Sequence, residues 1–203
     1  MEKRDWELWD QPSVAQWIDN YWNSEAEVNH RKKLLGTVSK FLKEGDRFLE
    51  VGCGSGHIYR YLTELVKVDY TGVDCSEEML KIGRAAFPGV DFRKGDGYKL
   101  EFPDGSFKAV AAIDVLQHVP DVLGIIRELI RVSSDLVFFT LTEAPVTTFG
   151  KEVILGNTFL WNNYSFEEAK TKVGSVAGGI PFKTLPIRPG ARLWVLSKKA
   201  DGI

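Results

Sequence analysis

The spacing of hydrophobic residues along the chain changes character at Gly45. Before this glycine, two stretches repeat apolar positions at helical spacing, and Ser13 with Gln16 has the spacing of a capping box at the start of the first. The two stripes consist of Val14, Trp17, Ile18 and Tyr21, then Leu34, Val38, Phe41 and Leu42. We therefore predict an N-terminal helical extension over residues 1–44, whose second helix ends at Gly45.

Beyond Gly45, short apolar strands alternate with amphipathic helices. Strands are predicted near residues 47–51, 69–73, 90–93, 107–113 and 136–139. Helices are predicted near residues 57–65, from the N-cap Ser76 to a point before Pro88, and after Asp121. Such alternation is typical of a parallel sheet covered by helices on both faces.

The last third of the sequence has a weaker pattern. Residues 142–164 show no regular periodicity, so we predict irregular structure there, whereas Ser165 and Glu168 have capping-box spacing and predict a helix. Two late strands, near residues 181–187 and 192–198, flank a short turn and should pair antiparallel. The predicted fold is a Rossmann-like, doubly wound, mostly parallel seven-stranded sheet with an antiparallel C-terminal strand. The terminal hairpin should give this sheet an antiparallel edge. We predict one domain over residues 1–203, with the core at 45–203.

Composition limits the partners and the cellular location that we expect for this domain. The formal net charge of −2 gives no positive field for a nucleic acid or an anionic membrane. No stretch approaches the roughly 20 apolar residues of a membrane span, and the charged start does not resemble a signal peptide. Two cysteines offer neither a disulfide framework nor metal-ligand spacing, so no metal is expected. We predict a soluble cytoplasmic protein, and we interpret the basic run at residues 30–33 as the solvated face of a helix.

The loop after the first predicted strand, residues 52–56, carries the strongest chemical signal. Its three glycines, at alternate positions, permit positive φ and let a ligand approach the backbone. A dinucleotide fingerprint would need glycine at position 57, which is His57, and no phosphate-binding Gly-Lys-Ser/Thr is present. Glu50 would repel a pyrophosphate and instead suits a ligand with an ammonium or sulfonium group.

Acidic residues also follow the next two strands. Asp74 ends the second strand, where it is placed to accept hydrogen bonds from ribose hydroxyls. Asp96 follows the third strand and could meet an adenine amino group. Because ligands of an open α/β sheet bind beyond the carboxyl ends of its strands, we expect both residues at one site with Glu50.

Three segments together resemble a known family. Residues 48–56, 72–80 and 95–97 look like the cofactor segments of class I S-adenosylmethionine-dependent methyltransferases. Residues 102–107 and 114–120 resemble the subgroup of ubiquinone-biosynthesis-type small-molecule methyltransferases. The resemblance implies S-adenosyl-L-methionine as cofactor and S-adenosyl-L-homocysteine as product. The sequence departs from the family pattern at residues 131–136, where the family usually has a longer, basic and glycine-rich turn.

The resemblance assigns roles at the methionine end of the cofactor. Gly52, Gly54 and Gly56 would shape this end of the site. Glu50 would orient the amino group, and the backbone carbonyl of Asp114 would accept a hydrogen bond from the ammonium.

At the adenosine end, the resemblance assigns the ribose diol to Asp74 and the adenine edge to Asp96 and Gly97. Cys75 would pack near adenine. Cys53, which lies in the glycine loop, and Cys75 are expected to be small residues in tight loops without thiol chemistry.

Methyl transfer from a sulfonium is an in-line displacement with a good leaving group, so positioning and exclusion of water can supply most of the catalysis. A base is needed only where the acceptor must lose a proton, and His118 is the candidate, with a structural role as its alternative. We predict an apolar or aromatic small-molecule acceptor between an N-terminal lid and an opposite wall. The lid would hold Trp6, Trp9, Trp17, Ile18, Tyr21 and Trp22, and the wall Phe149, Phe159, Trp161 and Tyr164.

Several alternatives stay open on the sequence. The chain could be a non-catalytic module that binds the cofactor as a partner or sensor, or a methyltransferase for RNA or protein. A nicotinamide oxidoreductase is disfavoured by His57 and by the lack of a Tyr-x-x-x-Lys pair. Both a monomer and a homodimer are compatible with the sequence.

Overall fold

The computed structural model describes residues 5–199, with side chains from Glu7 onward, so Trp6 of the predicted lid lies outside the described side chains. The strands are β1 (Arg47–Val51), β2 (Asp69–Asp74), β3 (Asp91–Lys94), β4 (Phe107–Ala112), β5 (Ser133–Thr142), β6 (Thr148–Ile154), β7 (Asn157–Asn163), β8 (Phe182–Arg188) and β9 (Ala191–Ser197). The α-helices are α1 (Pro12–Trp22), α2 (Glu25–Val38), α3 (His57–Leu62), α4 (Glu77–Ala86), α5 (Val122–Val132) and α6 (Phe166–Ala177). Short 3₁₀ turns cover Asp5–Leu8, Ser39–Phe41 and Leu116–His118.

Seven strands form one sheet in the order β3-β2-β1-β4-β5-β9-β8. Strands β1 to β5 pair in parallel, and β9 is antiparallel to both of its neighbours. The doubly wound, mostly parallel seven-stranded sheet is therefore confirmed. The antiparallel C-terminal strand is confirmed as β9, and the terminal hairpin of β8 and β9 forms this edge of the sheet. Residues 193–196 of β9 are buried on both faces, whereas β8 is half-exposed and suits the edge.

Hydrophobic cores lie on both faces of the sheet. On one face, α5 and α6 pack against β4, β5 and β9. On the other, α2 and α3 cover β1 and β4. A third, smaller cluster joins α1 to α4 and to the β6–β7 pair. This third cluster holds the N-terminal segment over the carboxyl ends of the parallel strands.

Helix starts follow the sequence in the core and depart from it in the extension. Ser76 and Ser165 cap α4 and α6 as predicted, since each hydroxyl accepts a bond from a backbone N–H three residues later, at 3.1 and 3.4 Å. By contrast, Ser13 caps nothing, because Pro12 already occupies the first turn of α1. The second helix ends at Val38 instead of Gly45 and continues only as a 3₁₀ turn.

The segment 142–164, which the sequence predicted to be irregular, contains the β6–β7 hairpin. Its two-residue turn is Leu155-Gly156, with φ of 50° and 78°. Positive φ at both positions is the geometry of a type I′ turn, which Asn-Gly or Asp-Gly normally signals. The turn was missed because its first position is leucine. The hairpin also lacks a clear alternation of apolar and polar residues, because the apolar side chains of Phe149 and Val153 are exposed on its outer face.

Among residues 5–199, no helix is long and apolar enough to cross a lipid bilayer.

Candidate functional site

A cavity of about 410 Å³ lies beyond the carboxyl ends of β1, β2 and β4. It brings together most residues that the sequence predicted to act. Those in its lining are Glu50, Gly52, Cys53, Gly54, Asp74, Cys75, Asp96, Asp114 and His118. Gly56 and Gly97 are outside the lining; a Cβ at Gly56 would meet the Phe92 ring at 2.7 Å, and one at Gly97 would meet Val51 at 3.1 Å.

The glycine loop forms a cradle that a side chain would fill. Gly52 and Gly54 have φ of +75° and +52°, in the left-handed region that favours glycine. A Cβ on Gly52 would lie 2.3 Å from Val115 Cγ2, and one on Gly54 would lie 2.8 Å from Met79 Cε. Backbone atoms of this loop are therefore exposed to a ligand in a way that other residue types would prevent.

Asp74 ties the first two loops of the site together. One carboxylate oxygen accepts the backbone N–H of Gly54 and the other accepts that of Ser76, both at 2.8 Å. Burial raises the pKa of Asp74, while these two bonds oppose the rise. Each carboxylate oxygen has a further lone pair, so Asp74 can still accept bonds from ligand hydroxyls.

Glu50 is 1% exposed and accepts a hydrogen bond from the Tyr70 hydroxyl. Burial raises the pKa of Glu50 to about 8, although the Arg31 charge works in the other direction. The carboxyl group is thus mostly protonated at neutral pH and is poised to ionise when a cation arrives.

Asp114 adopts a φ of 57°, which is uncommon outside glycine. Its backbone N–H donates to Thr140 Oγ1 at 2.7 Å. Its carboxylate lies 3.5 Å from Arg31 Nη2 and 3.6 Å from Arg188 Nη2. Groups from α2, β5 and the end of β8 therefore hold this strained residue at the edge of the cavity.

Arg31 is a site residue that the sequence interpretation missed. It is 6% exposed and its guanidinium lies 3.8 Å from the centre of the Trp22 ring. The solvated-face interpretation is wrong for Arg31, although His30, Lys32 and Lys33 are exposed. Extending the apolar stripe of α2 back by one turn would have found it, because Arg31 precedes buried Leu34 and Leu35 at helical spacing.

His118 is held in one neutral form. A carbonyl oxygen only accepts, so His118 Nδ1 carries the hydrogen and donates to the Leu160 carbonyl at 2.9 Å. Nε2 then accepts from the Gln117 side-chain amide at 3.2 Å. Burial lowers the pKa of His118. The rings of Trp9 and Trp161 contact the imidazole, with centroids at 4.8 and 5.1 Å.

A second histidine contacts the N-terminal extension. Asp19 on α1 accepts from Ser55 Oγ at 2.6 Å, and the same oxygen lies 3.0 Å from His57 Nε2. Burial lowers the pKa of His57 to about 4. Sequence reasoning used His57 only to exclude a dinucleotide loop and overlooked Asp19, because nothing local links residues 38 positions apart.

The N-terminal segment also makes polar contacts with the loop between β2 and α4 and with the start of α4. Ser76 Oγ donates to the Trp9 carbonyl at 2.9 Å, and Asp10 accepts the Glu78 backbone N–H at 3.1 Å. The Lys94 ammonium lies 3.2 Å from Asp10. The segment thus forms a roof that touches two of the loops below it.

Only some of the residues predicted for the lid and the wall lie at the cavity. Trp9, Ile18 and Trp22 line the cavity, whereas Trp17 and Tyr21 stack on each other at the surface, 5.6 Å apart. In the wall, Trp161 contacts His118 and Phe159 contacts Trp9. Phe149 is exposed, and Tyr164 is buried in the main core.

Cys53 and Cys75 are unpaired, and burial raises the pKa of both thiols, so neither is an activated nucleophile. Within the part of the chain that the structure describes, no cluster of three histidine, cysteine or acidic side chains is placed to hold a metal ion.

Comparisons with known proteins agree with this fold. Residues 49–136 match the family described as a methyltransferase domain. A demethylmenaquinone methyltransferase of Chlorobaculum tepidum is 32% identical over 115 residues, which cover 57% of this chain and 45% of that protein. The 27-O-demethylrifamycin SV methyltransferase of Amycolatopsis mediterranei is 33% identical over 124 residues, covering 55% and 45%. The chain spans about half the length of these curated relatives.

Among solved structures, magnesium protoporphyrin IX methyltransferase of Synechocystis, with bound S-adenosylmethionine, has a TM-score of 0.72 at 14% identity, covering 97% of this chain and 98% of that one. The likeness shows the shared fold. Together with the matched segment, it confirms the resemblance that the sequence motifs indicated. Residues 49–136 are similar to the methyltransferase-domain family, and the chain has the fold of the S-adenosylmethionine-dependent methyltransferases.

Proposed function

We propose that the protein binds S-adenosyl-L-methionine in the 410 Å³ cavity and transfers its methyl group to a small-molecule acceptor. The observation that carries this proposal is the meeting of Glu50, Asp74 and Asp96 around the glycine loop in one cavity. The names of the two curated relatives, a quinone and an antibiotic methyltransferase, support a small-molecule acceptor.

The residues fit each part of this cofactor. Asp74 would bind the ribose diol and Asp96 the adenine edge, while Glu50 and the Asp114 carbonyl would face the ammonium. The buried Nε of Arg31 has no hydrogen-bond partner among the described residues, and we assign it to the carboxylate. When bound, the cofactor supplies an electrophilic methyl group on a sulfonium. The chain's contribution is to orient the reactants and exclude water.

The acceptor is proposed to lie under the N-terminal roof. There the lining is largely apolar and aromatic and includes Trp9, Val115, His118 and Val119. Such walls suit an apolar or aromatic small molecule better than a charged polymer. The cytoplasmic location and the choice between monomer and homodimer stay predictions.

The test is methyl transfer from methyl-labelled S-adenosylmethionine to three sets of acceptors: lipophilic aromatic small molecules, RNA and protein. We expect product only with the first set. Calorimetry with S-adenosylhomocysteine and with NAD should show binding of the former alone. Product on RNA or protein alone would contradict the acceptor class, and cofactor binding without any product would favour the sensor alternative.

A prediction concerns Glu50, whose pKa is about 8 in the empty site. An incoming ammonium favours the ionised carboxylate, so binding of S-adenosylhomocysteine at about pH 7 should release a proton, and affinity should rise as the pH approaches 8. The proton count is measured by calorimetry in buffers of different ionisation enthalpy. Glu50→Gln should abolish the release, and Glu44→Gln, an exposed site, should retain it. Release that persists in Glu50→Gln would contradict this role.

A second prediction concerns His118. If His118 is the base, it must act in its neutral form. Because burial lowers its pKa, the rate at saturating cofactor should stay flat through neutral pH and fall only below about pH 6.5. With a hydroxyl acceptor, His118→Gln should lower kcat by about 100-fold or more while affinity for S-adenosylhomocysteine is kept. Exposed His30→Gln is the control. An unchanged kcat would leave His118 a structural residue.

A further inference from the structure

Two residues that line the cavity each have a buried polar atom without a hydrogen-bond partner among the described residues: Nε of Arg31 and Nδ1 of His57. Leaving such an atom unpaired costs about 1–3 kcal/mol. An unpaired buried polar atom on a residue that lines a cavity needs an explanation, and a ligand group that pairs with it supplies one. In the proposed function Arg31 binds the cofactor carboxylate, and His57 has no role yet.

The hydrogen-bond partners of His57 fix which of its nitrogens can accept. The Asp19 carboxylate only accepts, so His57 Nε2 carries the hydrogen and donates to Asp19 Oδ1 across 3.0 Å. The imidazole is neutral, because burial and the nearby charges of Arg31 and Arg60 lower its pKa, against the opposing effect of Asp19. Nδ1 then holds a lone pair, and its complement is a donor on the ligand.

We propose that His57 Nδ1 accepts a hydrogen bond from the α-ammonium group of the cofactor, and that Asp19 is the positioning residue that fixes the required tautomer. This inference rests on the proposed function. An ammonium group has three N–H donors. The Asp114 carbonyl and the Glu50 carboxyl offer two acceptors in the cavity, and His57 Nδ1 is the third.

The arrangement links the roof to the cofactor. Asp19 belongs to α1, and it reaches the glycine loop through Ser55 as well as through His57. Docking of α1 therefore creates the acceptor form of His57. By linkage, cofactor binding favours the docked helix to the same extent.

The experiment compares two ligands by calorimetry. S-adenosylhomocysteine has the amino-acid end, and 5′-methylthioadenosine lacks it. His57→Leu should weaken binding of S-adenosylhomocysteine by about 10- to 100-fold, which is the range for one hydrogen bond to a charged group. The affinity for methylthioadenosine should not change. His57→Gln keeps one donor and one acceptor and should recover part of the affinity. His30→Leu, at an exposed site, should change neither ligand.

A second measurement addresses Asp19. The chain has three histidines, so ¹⁵N NMR resolves the tautomer of each after single substitutions. Wild type should show His57 with its hydrogen on Nε2. Asp19→Asn can turn its amide N–H toward Nε2, which moves the hydrogen to Nδ1. We expect this shift of the hydrogen together with a lower affinity for S-adenosylhomocysteine. The affinity for methylthioadenosine should stay unchanged.

Two results would overturn the inference and leave the proposed function standing. One is an equal loss of affinity for both ligands in His57→Leu and in His57→Gln, which would mean that His57 only stabilises the glycine loop. The other is a wild-type His57 with its hydrogen on Nδ1. Failure of wild type to bind either ligand would instead overturn the proposed function itself.

Discussion

Asp74→Asn is expected to weaken binding of S-adenosylhomocysteine by at least about 100-fold. The carboxylate now accepts backbone N–H groups from both Gly54 and Ser76. An amide has a single acceptor oxygen, so its NH₂ group must face one of these donors. The unpaired N–H lowers folding stability. The ribose hydroxyls lose hydrogen bonds to a charged acceptor, which are worth about 1.5–3 kcal/mol each, and isothermal calorimetry measures this loss of binding free energy.

Asp69 offers a matched control on the same strand. It lies at the other end of β2, where it is exposed and only 3.7 Å from the Arg47 side chain. Asp69→Asn makes the same chemical change and should alter affinity by less than about twofold, because an exposed ion pair contributes little. If folded Asp74→Asn bound S-adenosylhomocysteine as tightly as wild type, Asp74 would not belong to the cofactor site.

Gly52→Ala is the second change with a large expected effect. Its Cβ would lie 2.3 Å from Val115 Cγ2, in a residue with φ of +75°. The loop or Val115 must move into the cavity, so we expect affinity for S-adenosylhomocysteine to fall by more than about 10-fold. Overpacking adds about 1–3 kcal/mol to the loss of folding stability. Calorimetry and thermal unfolding measure the two effects separately.

Gly45→Ala separates backbone strain from steric clash. Gly45 has a similar φ of +80°, and a Cβ there would meet nothing within 4 Å. This variant should lose about 1–2 kcal/mol of stability from the left-handed backbone and keep its affinity. Adding Val115→Ala to Gly52→Ala removes the clashing γ carbons and should restore much of the binding. Equal affinity losses in Gly45→Ala and Gly52→Ala would contradict the steric explanation.

The alternating core was predictable because its signals are local. Each parallel strand is a short apolar run, and the hydroxyls of Ser76 and Ser165 cap the helices that follow β2 and β7. The loops that hold Glu50, Asp74 and Asp96 follow directly from this order, since carboxyl ends of parallel strands share one edge.

The rest depended on contacts between distant parts of the chain. Arg31 is buried because α2 packs beside Asp114 and Trp22, and the only sequence signal for this is its helical spacing to the apolar stripe of α2. His57 and Asp19 likewise meet only when α1 docks on the glycine loop. Both His57 and Asp19 are polar, so hydrophobic periodicity does not report where they lie.

The position of β9 has a consequence for how the protein is made. Strand β9 separates β5 from β8, so β8 emerges from the ribosome before the strand to which it pairs. During synthesis, β5 keeps an open edge across the whole of residues 143–190, and such an edge invites pairing with another chain. The sheet closes only when residues 191–197 emerge and insert between two earlier strands. Nascent chains stopped before Ala191 should therefore engage chaperones that shield open strand edges.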